Sequence, residues 1–231
     1  ELNLTNLDFD VCFQKLLPFI KQHPSLVFLD QNGIKYLSEK YFLELEKTTK
    51  TDFLYFVSSS YFWRFGESDE FKIHLEINLE EAKRDPYTFI HRNLIKQLYS
   101  KLPEGSILKL YPFSLKKGTN IHGIIFGAKH IRAVDKFLDG AWKRSPINGE
   151  ANFDIDKDNT KTQLNLFENK PLTKIESFYV DIDEKIRTER EVTNSEMFQF
   201  TIDIGHPTLQ TNNYLRSLKT ARKTDYVGKS P

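Results

Sequence analysis

Along the first half of the chain, apolar positions alternate between helical and strand-like spacing. Asp8 to His23 sets Phe9, Cys12, Phe13, Leu16, Leu17 and Ile20 on one helical face. Pro18 is expected to bend or shorten that helix, and Pro24 to stop it. Ser25 to Asp30 is a short apolar run ending in an acid, the form of a buried parallel strand. Gln31-Asn32-Gly33 reads as a turn. Ser38 then caps a helix to about Lys47, with Tyr41, Phe42 and Leu45 inward. Asp52 to Ser58 predicts a second buried strand that leaves through Ser58-Ser59-Ser60. Phe71 to Asn78 fits a strand or a helix equally. Pro86 suits a first helical turn, and a helix to Leu102 would bury Ile90, Leu94, Leu98 and Leu102. Ile107–Phe113 and Ile121–Ala128 form a hairpin about a turn over 116–120, and His130 to Trp142 is a further helix.

The pattern changes after Ser145. Residues 146–170 are rich in Asn, Asp, Lys and Thr and weakly periodic, which reads as a linker that docks through Phe153 and Phe167. Pro171 to Arg187 is amphipathic, with Ile175, Phe178, Tyr179, Ile182 and Ile186 on one face. Ser195 is expected to cap a helix that buries Met197, Phe198 and Ile202 and closes at Gly205. Thr208 to Lys223 is the third helix, and Tyr226 to Lys229 would start a β wing. Three helices and a wing give a winged-helix reading. The chain is thus expected to hold an α/β unit (1–145), a linker (146–170) and a winged-helix-like domain (171–231).

The final helix carries the most pointed chemistry. Tyr214, Leu215, Leu218, Thr211 and Ala221 gather on one side, and Asn212, Arg216, Lys219 and Lys223 gather on another. A core-facing stripe beside a basic, amide-bearing stripe is what a groove-binding helix needs, because cations neutralise phosphates and an amide can meet a base edge. Asn213 and Arg222 are further candidates for nucleic-acid contact. The competing reading is a solvated charged face, with the domain holding a protein partner instead. Composition sharpens the contrast. The formal net charge is only +1, yet residues 209–231 hold five Lys or Arg against one acid.

Other chemistry is sparse. The 39% hydrophobic content, with 19 Phe and 10 Tyr, suffices for a real core. Cys12 is the single cysteine, so an intrachain disulfide is excluded and a reducing cytoplasm is expected. Six histidines occur without paired cysteines or metal-ligand spacing, so no metal is expected. No apolar run approaches the ~20 residues of a membrane span. Asp30 at a strand end, with Asn32 beside it, is the candidate catalytic pair, because α/β sheets place ligands there; a turn-capping carboxylate is the alternative. Arg64 could grip phosphate or substrate, or pair with Glu67 or Asp69.

Four places together resemble the rear part of the three-Cys-motif partner (TcmP) family of bacterial proteins. They are Asn6-Leu7-Asp8-Phe9 ahead of Phe28-Leu29-Asp30-Gln31-Asn32-Gly33; Thr51-Asp52-Phe53-Leu54 with Arg64-Phe65; Ala141-Trp142-Lys143 with Pro146 and Gly149; and Thr193 to Thr201 with Gly205-His206-Pro207. The resemblance implies a partial Rossmann-like, methyltransferase-type sheet ending in a β-hairpin, followed by a helical winged-helix domain. It also implies a partner protein with a three-cysteine motif and a role in a bacterial defence or mobile-element module. Such methyltransferases seat S-adenosylmethionine on a glycine-rich turn after their first strand, and this chain holds no G-x-G. No cofactor is therefore expected on this chain unless its front half is supplied by a preceding segment or another chain. The Pro-Pro-aromatic run of amino-methyltransferases is also absent after Asp30.

Overall fold

The computed structural model describes residues 2–30, 39–58, 86–118, 120–163 and 171–226. The expected turn at 31–33, the Ser38 cap, the ambiguous stretch 71–78, Phe167 and the wing beyond Tyr226 lie outside the described residues. The described elements are α1 (Phe9–Gln22), β1 (Ser25–Asp30), α2 (Glu39–Glu46), β2 (Thr51–Ser58) and α3 (Pro86–Ser100). They continue with β3 (Lys109–Lys117), β4 (Asn120–Ala128), α4 (Ile131–Arg144), α5 (Asp158–Gln163), α6 (Lys174–Glu189), α7 (Asn194–Asp203) and α8 (Thr208–Thr220). The architecture is mixed α/β.

The four strands form one sheet in the order β1-β2-β4-β3. β1 and β2 are parallel, with Ser25 opposite Thr51 and Asp30 opposite Phe56. β4 runs antiparallel to both β2 and β3. One face carries Leu29, Phe53, Tyr55 and Ile125, packed beneath Phe13 and Leu17 of α1, Phe42 and Leu45 of α2, and Leu94 and Leu98 of α3. Phe42, Phe53 and Tyr55 are fully buried; each phenylalanine contributes about 1.5–3 kcal/mol of transfer free energy, and the Tyr55 hydroxyl, without a hydrogen-bond partner among the described residues, offsets part of its gain. On the opposite face, Tyr111, Phe126 and Ala128 pack against Val134 and Leu138 of α4 and Ile202 of α7. That cover stops short of β1, whose Leu26 and Phe28 are 66% and 55% exposed.

The two sheet edges differ. Along β3 the outward groups are satisfied in turn. Leu110 N–H donates to the Tyr99 hydroxyl (2.8 Å), Pro112 has no N–H, Ser114 N–H donates to Glu150 O (2.7 Å), and Lys116 N–H donates to Asn152 Oδ1 (2.7 Å). Ser114 also forms a parallel bridge with Ala151. This capping removes the template an edge strand otherwise presents. Among the described residues nothing caps β1 in this way.

Local differences from the expected pattern have plain causes. α1 continues through Pro18 to Gln22, because Pro18 lies on the exposed side, where the carbonyl it frees can meet water. The start of α7 is set by Thr193 and not Ser195. Thr193 Oγ1 accepts from Glu196 N, and the Glu196 carboxylate reaches back to Thr193 N (2.8 Å), a full capping box. Thr173 and Glu176 do the same for α6. Residues 146–163 are not a free tether: Asn148, Ala151 and Asp158 are buried, and α5 forms within them. Phe153 is half-buried, with Lys116 Nζ 5.9 Å from its ring centroid.

Candidate functional site

α6, α7 and α8 share a core of Phe178, Ile182, Met197, Leu215 and Leu218. Only residues 204–207 separate α7 from α8. Gly205 adopts φ +82°, a conformation that side chains with a Cβ resist, and this lets the chain reverse within so short a connection. A short glycine-containing turn thus joins the two packed helices α7 and α8. Buried Thr201 Oγ1 on α7 and Thr211 Oγ1 on α8 lie 2.6 Å apart, and Thr201 also donates to Met197 O (2.7 Å). Tyr214 stacks on Tyr179 of α6 with ring centroids 4.1 Å apart and donates to Asp183 (2.9 Å). Burial, helped by Asp183, pushes the Tyr214 hydroxyl up to about 12.

The turn is fixed to the α/β layer. Trp142 Nε1 donates to Gly205 O (3.0 Å), and the Tyr111 hydroxyl donates to Ile202 O. His206 lies between Phe178 (centroids 3.9 Å) and Trp142 (4.6 Å), and its Nδ1–H donates to Gln210 Oε1 (2.7 Å). Burial lowers its pKa to about 4, so the imidazole is neutral at neutral pH. Pro207 offers no side-chain cap to α8. Asp135 of α4 supplies it, accepting from Thr208 N (2.9 Å) and Thr208 Oγ1 (3.0 Å). The orientation of α8 therefore follows from contacts to α4, α6 and α7 together.

The surface of α8 departs from the expected stripe in one respect. Thr211, Leu215 and Leu218 are buried. Asn212 is half-buried, and its Oδ1 accepts from the Tyr226 hydroxyl (2.7 Å), so its amide is already engaged. Asn213, Arg216, Lys219, Arg222 and Lys223 are exposed. Among the described residues no carboxylate pairs with these four cations, whereas Lys143 and Lys185 pair with acids on their own helices. At 100° per residue, the line farthest from the buried stripe is Leu209, Asn213, Arg216, Ser217 and Thr220, and Lys219 lies on its flank. Leu209 is 53% exposed and is a residue that sequence reasoning did not single out.

The other sequence-derived candidates do not converge on α8. Asp30 is exposed at the end of edge strand β1. Its proposed companion Asn32, and Arg64, lie outside the described residues. Among the described residues no group of three or more His, Cys, Asp or Glu could hold a metal ion. No described helix is long and apolar enough to cross a membrane.

A second polar centre lies between the α/β layer and α6. Arg92 of α3 forms paired bonds to Glu150 (2.6 and 2.9 Å) and to Asp156 (2.9 and 2.8 Å). Lys174 Nζ donates to Glu150 Oε2 (3.1 Å) and Asn148 O (2.8 Å). Burial alone would raise the Glu150 pKa, but bonds and charge from Arg92 and Lys174 outweigh it and hold the group at about 2. The cluster borders a cavity of about 790 Å³ whose apolar walls include Tyr99, Tyr111, Leu172 and Phe178. Each charge in it has a partner, which marks it as a structural clamp. Its members lie far apart in sequence, and local spacing carries no sign of it.

Comparison of the chain with family models, with curated proteins and with solved structures finds no match to any of them.

Proposed function

We propose that the chain binds duplex nucleic acid through the exposed face of α8. The observation that carries the reading is a set of four exposed cations, Arg216, Lys219, Arg222 and Lys223, without ion-pair partners among the described residues, along and just beyond the C-terminal half of α8, a helix joined to α7 by a short glycine turn as a helix-turn-helix would be. Unpaired surface cations on a rigid, convex element suit phosphate contact, and the small net charge of +1 concentrates that role here. The resemblance to three-Cys-motif partner proteins extends the proposal to a bacterial defence or mobile-element module with a partner protein. The sheet order supports it: two parallel strands followed by an antiparallel pair suit the rear part of a methyltransferase-type sheet. On that reading S-adenosylmethionine binds only when a front half completes the sheet, and calorimetry of this chain with the cofactor alone gives no binding heat.

The test is a duplex-binding titration across salt. Each phosphate contact adds about −0.9 to the slope of log affinity against log salt. Arg216→Ala with Lys219→Ala should weaken binding and reduce the slope by about 2. Salt-insensitive binding, identical in wild type and variant, would reject the reading. A protein-interaction scaffold is the second reading, and the bare apolar residues of β1 favour it.

A further inference from the structure

We infer that α8 reads sequence as well as gripping phosphate, with Leu209 and Asn213 as the residues that meet base edges in the major groove of DNA; this rests on the nucleic-acid reading above. The two jobs separate on the helix surface. The outermost line, Leu209, Asn213, Ser217 and Thr220, is uncharged apart from Arg216. The cations Lys219, Arg222 and Lys223 lie toward the flank and the C-terminal end. A helix whose only task was charge neutralisation would need no such line.

The chemistry of each residue points to a target. A carboxamide offers a donor and an acceptor together, matching adenine N7 and N6 in a bidentate pair, so Asn213 is assigned to adenine. Asn212 cannot share that role, because Tyr226 holds its oxygen. Leu209 presents an apolar surface, 53% exposed, in the first turn, where a thymine methyl is the fitting contact. The two lie four residues apart, a rise of about 6 Å, which spans about two base-pair steps. Asp135 also matters. Its carboxylate already fills the positive N-terminal end of α8, so a phosphate there would meet like charge. The first turn is thereby reserved for base edges, and phosphates fall to the far end.

A duplex library randomised over about two helical turns, put through binding selection, tests this. The wild type should enrich a motif containing adjacent A·T pairs. Asn213→Ala and Leu209→Ala should each lower affinity for the enriched duplex by roughly 5- to 100-fold, leaving affinity for a scrambled duplex and the salt slope unchanged. Both sites are exposed, so circular dichroism melts of the variants should match wild type. Lys219→Ala should instead weaken enriched and scrambled duplexes alike and reduce the slope by about 1. DNA binding without enrichment overturns the inference and leaves the nucleic-acid reading standing. A motif that neither variant relaxes also overturns it. Selective retention of single-stranded RNA over duplex overturns the base assignment, and no binding at all removes both.

Discussion

At the scale of residues, the turn before α8 depends on a few buried groups. Gly149 adopts φ +60°, and a Cβ on it would come within 2.3 Å of the Trp142 ring. Gly149→Ala should therefore displace Trp142, break its bond to Gly205 O and cost about 2–5 kcal/mol in chemical denaturation. His206 makes stability depend on pH. Burial depresses its pKa from 6.5 to about 4, and His91, buried with its Nδ1 3.0 Å from Ser114 Oγ, is depressed likewise. Between those values the unfolded chain binds more protons than the folded one. Stability is full above about 6.5 and declines as pH falls toward 4, by at most about 1.4 kcal/mol per pH unit for each histidine. His206→Phe keeps an aromatic ring in the stack and removes one titration, so melts between roughly pH 7 and pH 5 should show a shallower loss than wild type. Glu150 acts lower: its depressed pKa keeps its contribution above about 4.5 and loses it as pH falls toward 2. Glu150→Gln should destabilise by about 2–3 kcal/mol at neutral pH, less than for a fully buried pair because Arg92 is partly open to water. None of this was legible beforehand. The Trp142–His206 contact joins positions 64 apart, and local spacing carries no sign of it.

At the scale of elements, periodicity served well where burial is one-sided. The helix around Phe9–Ile20, the strands Ser25–Asp30 and Thr51–Ser58, the hairpin, and the last three helices all appear within a few residues of their expected bounds. Side chains that repeat at 3.6 or 2 residues record which face meets the core, and that record is local. Polar segments leave no such record. The expected linker, 146–170, docked through Phe153 and Phe167, is such a segment, and its sequence carries no sign that Ala151 pairs with Ser114 or that Arg92 clamps Glu150. The position of Asn212 was misjudged for a related reason: the wheel puts it beside Arg216, but the Tyr226 contact comes from beyond the helix. The unequal sheet edges carry a prediction of their own. β3 is capped by Tyr99, Asn152 and the bridge at Ala151, and among the described residues nothing caps β1 in this way. By hydrogen-exchange mass spectrometry of the chain alone, residues 26–30 should exchange faster than residues 110–116. Equal protection would mean that something already pairs with the β1 edge.

At the scale of the whole molecule, apolar exposure and positive charge are segregated. Among the described residues, eight of the fourteen large exposed hydrophobics lie between Leu2 and Phe28, in β1 and the segment that precedes it. The cations without ion-pair partners among the described residues lie on α8 (Arg216, Lys219) and just beyond it (Arg222, Lys223), and α7 joins that helix to the β3–β4 side through Ile202. Surfaces of such different chemistry separate the two readings proposed above, a polyanion contact at α8 and a polypeptide contact at β1. If α8 is the nucleic-acid contact proposed above, hydrogen exchange of the chain with and without saturating duplex DNA locates its footprint. Contact through α8 should add protection over residues 204–223 and leave residues 25–30 unchanged; protection at the β1 edge with α8 unaffected, or no protection anywhere, would rule it out.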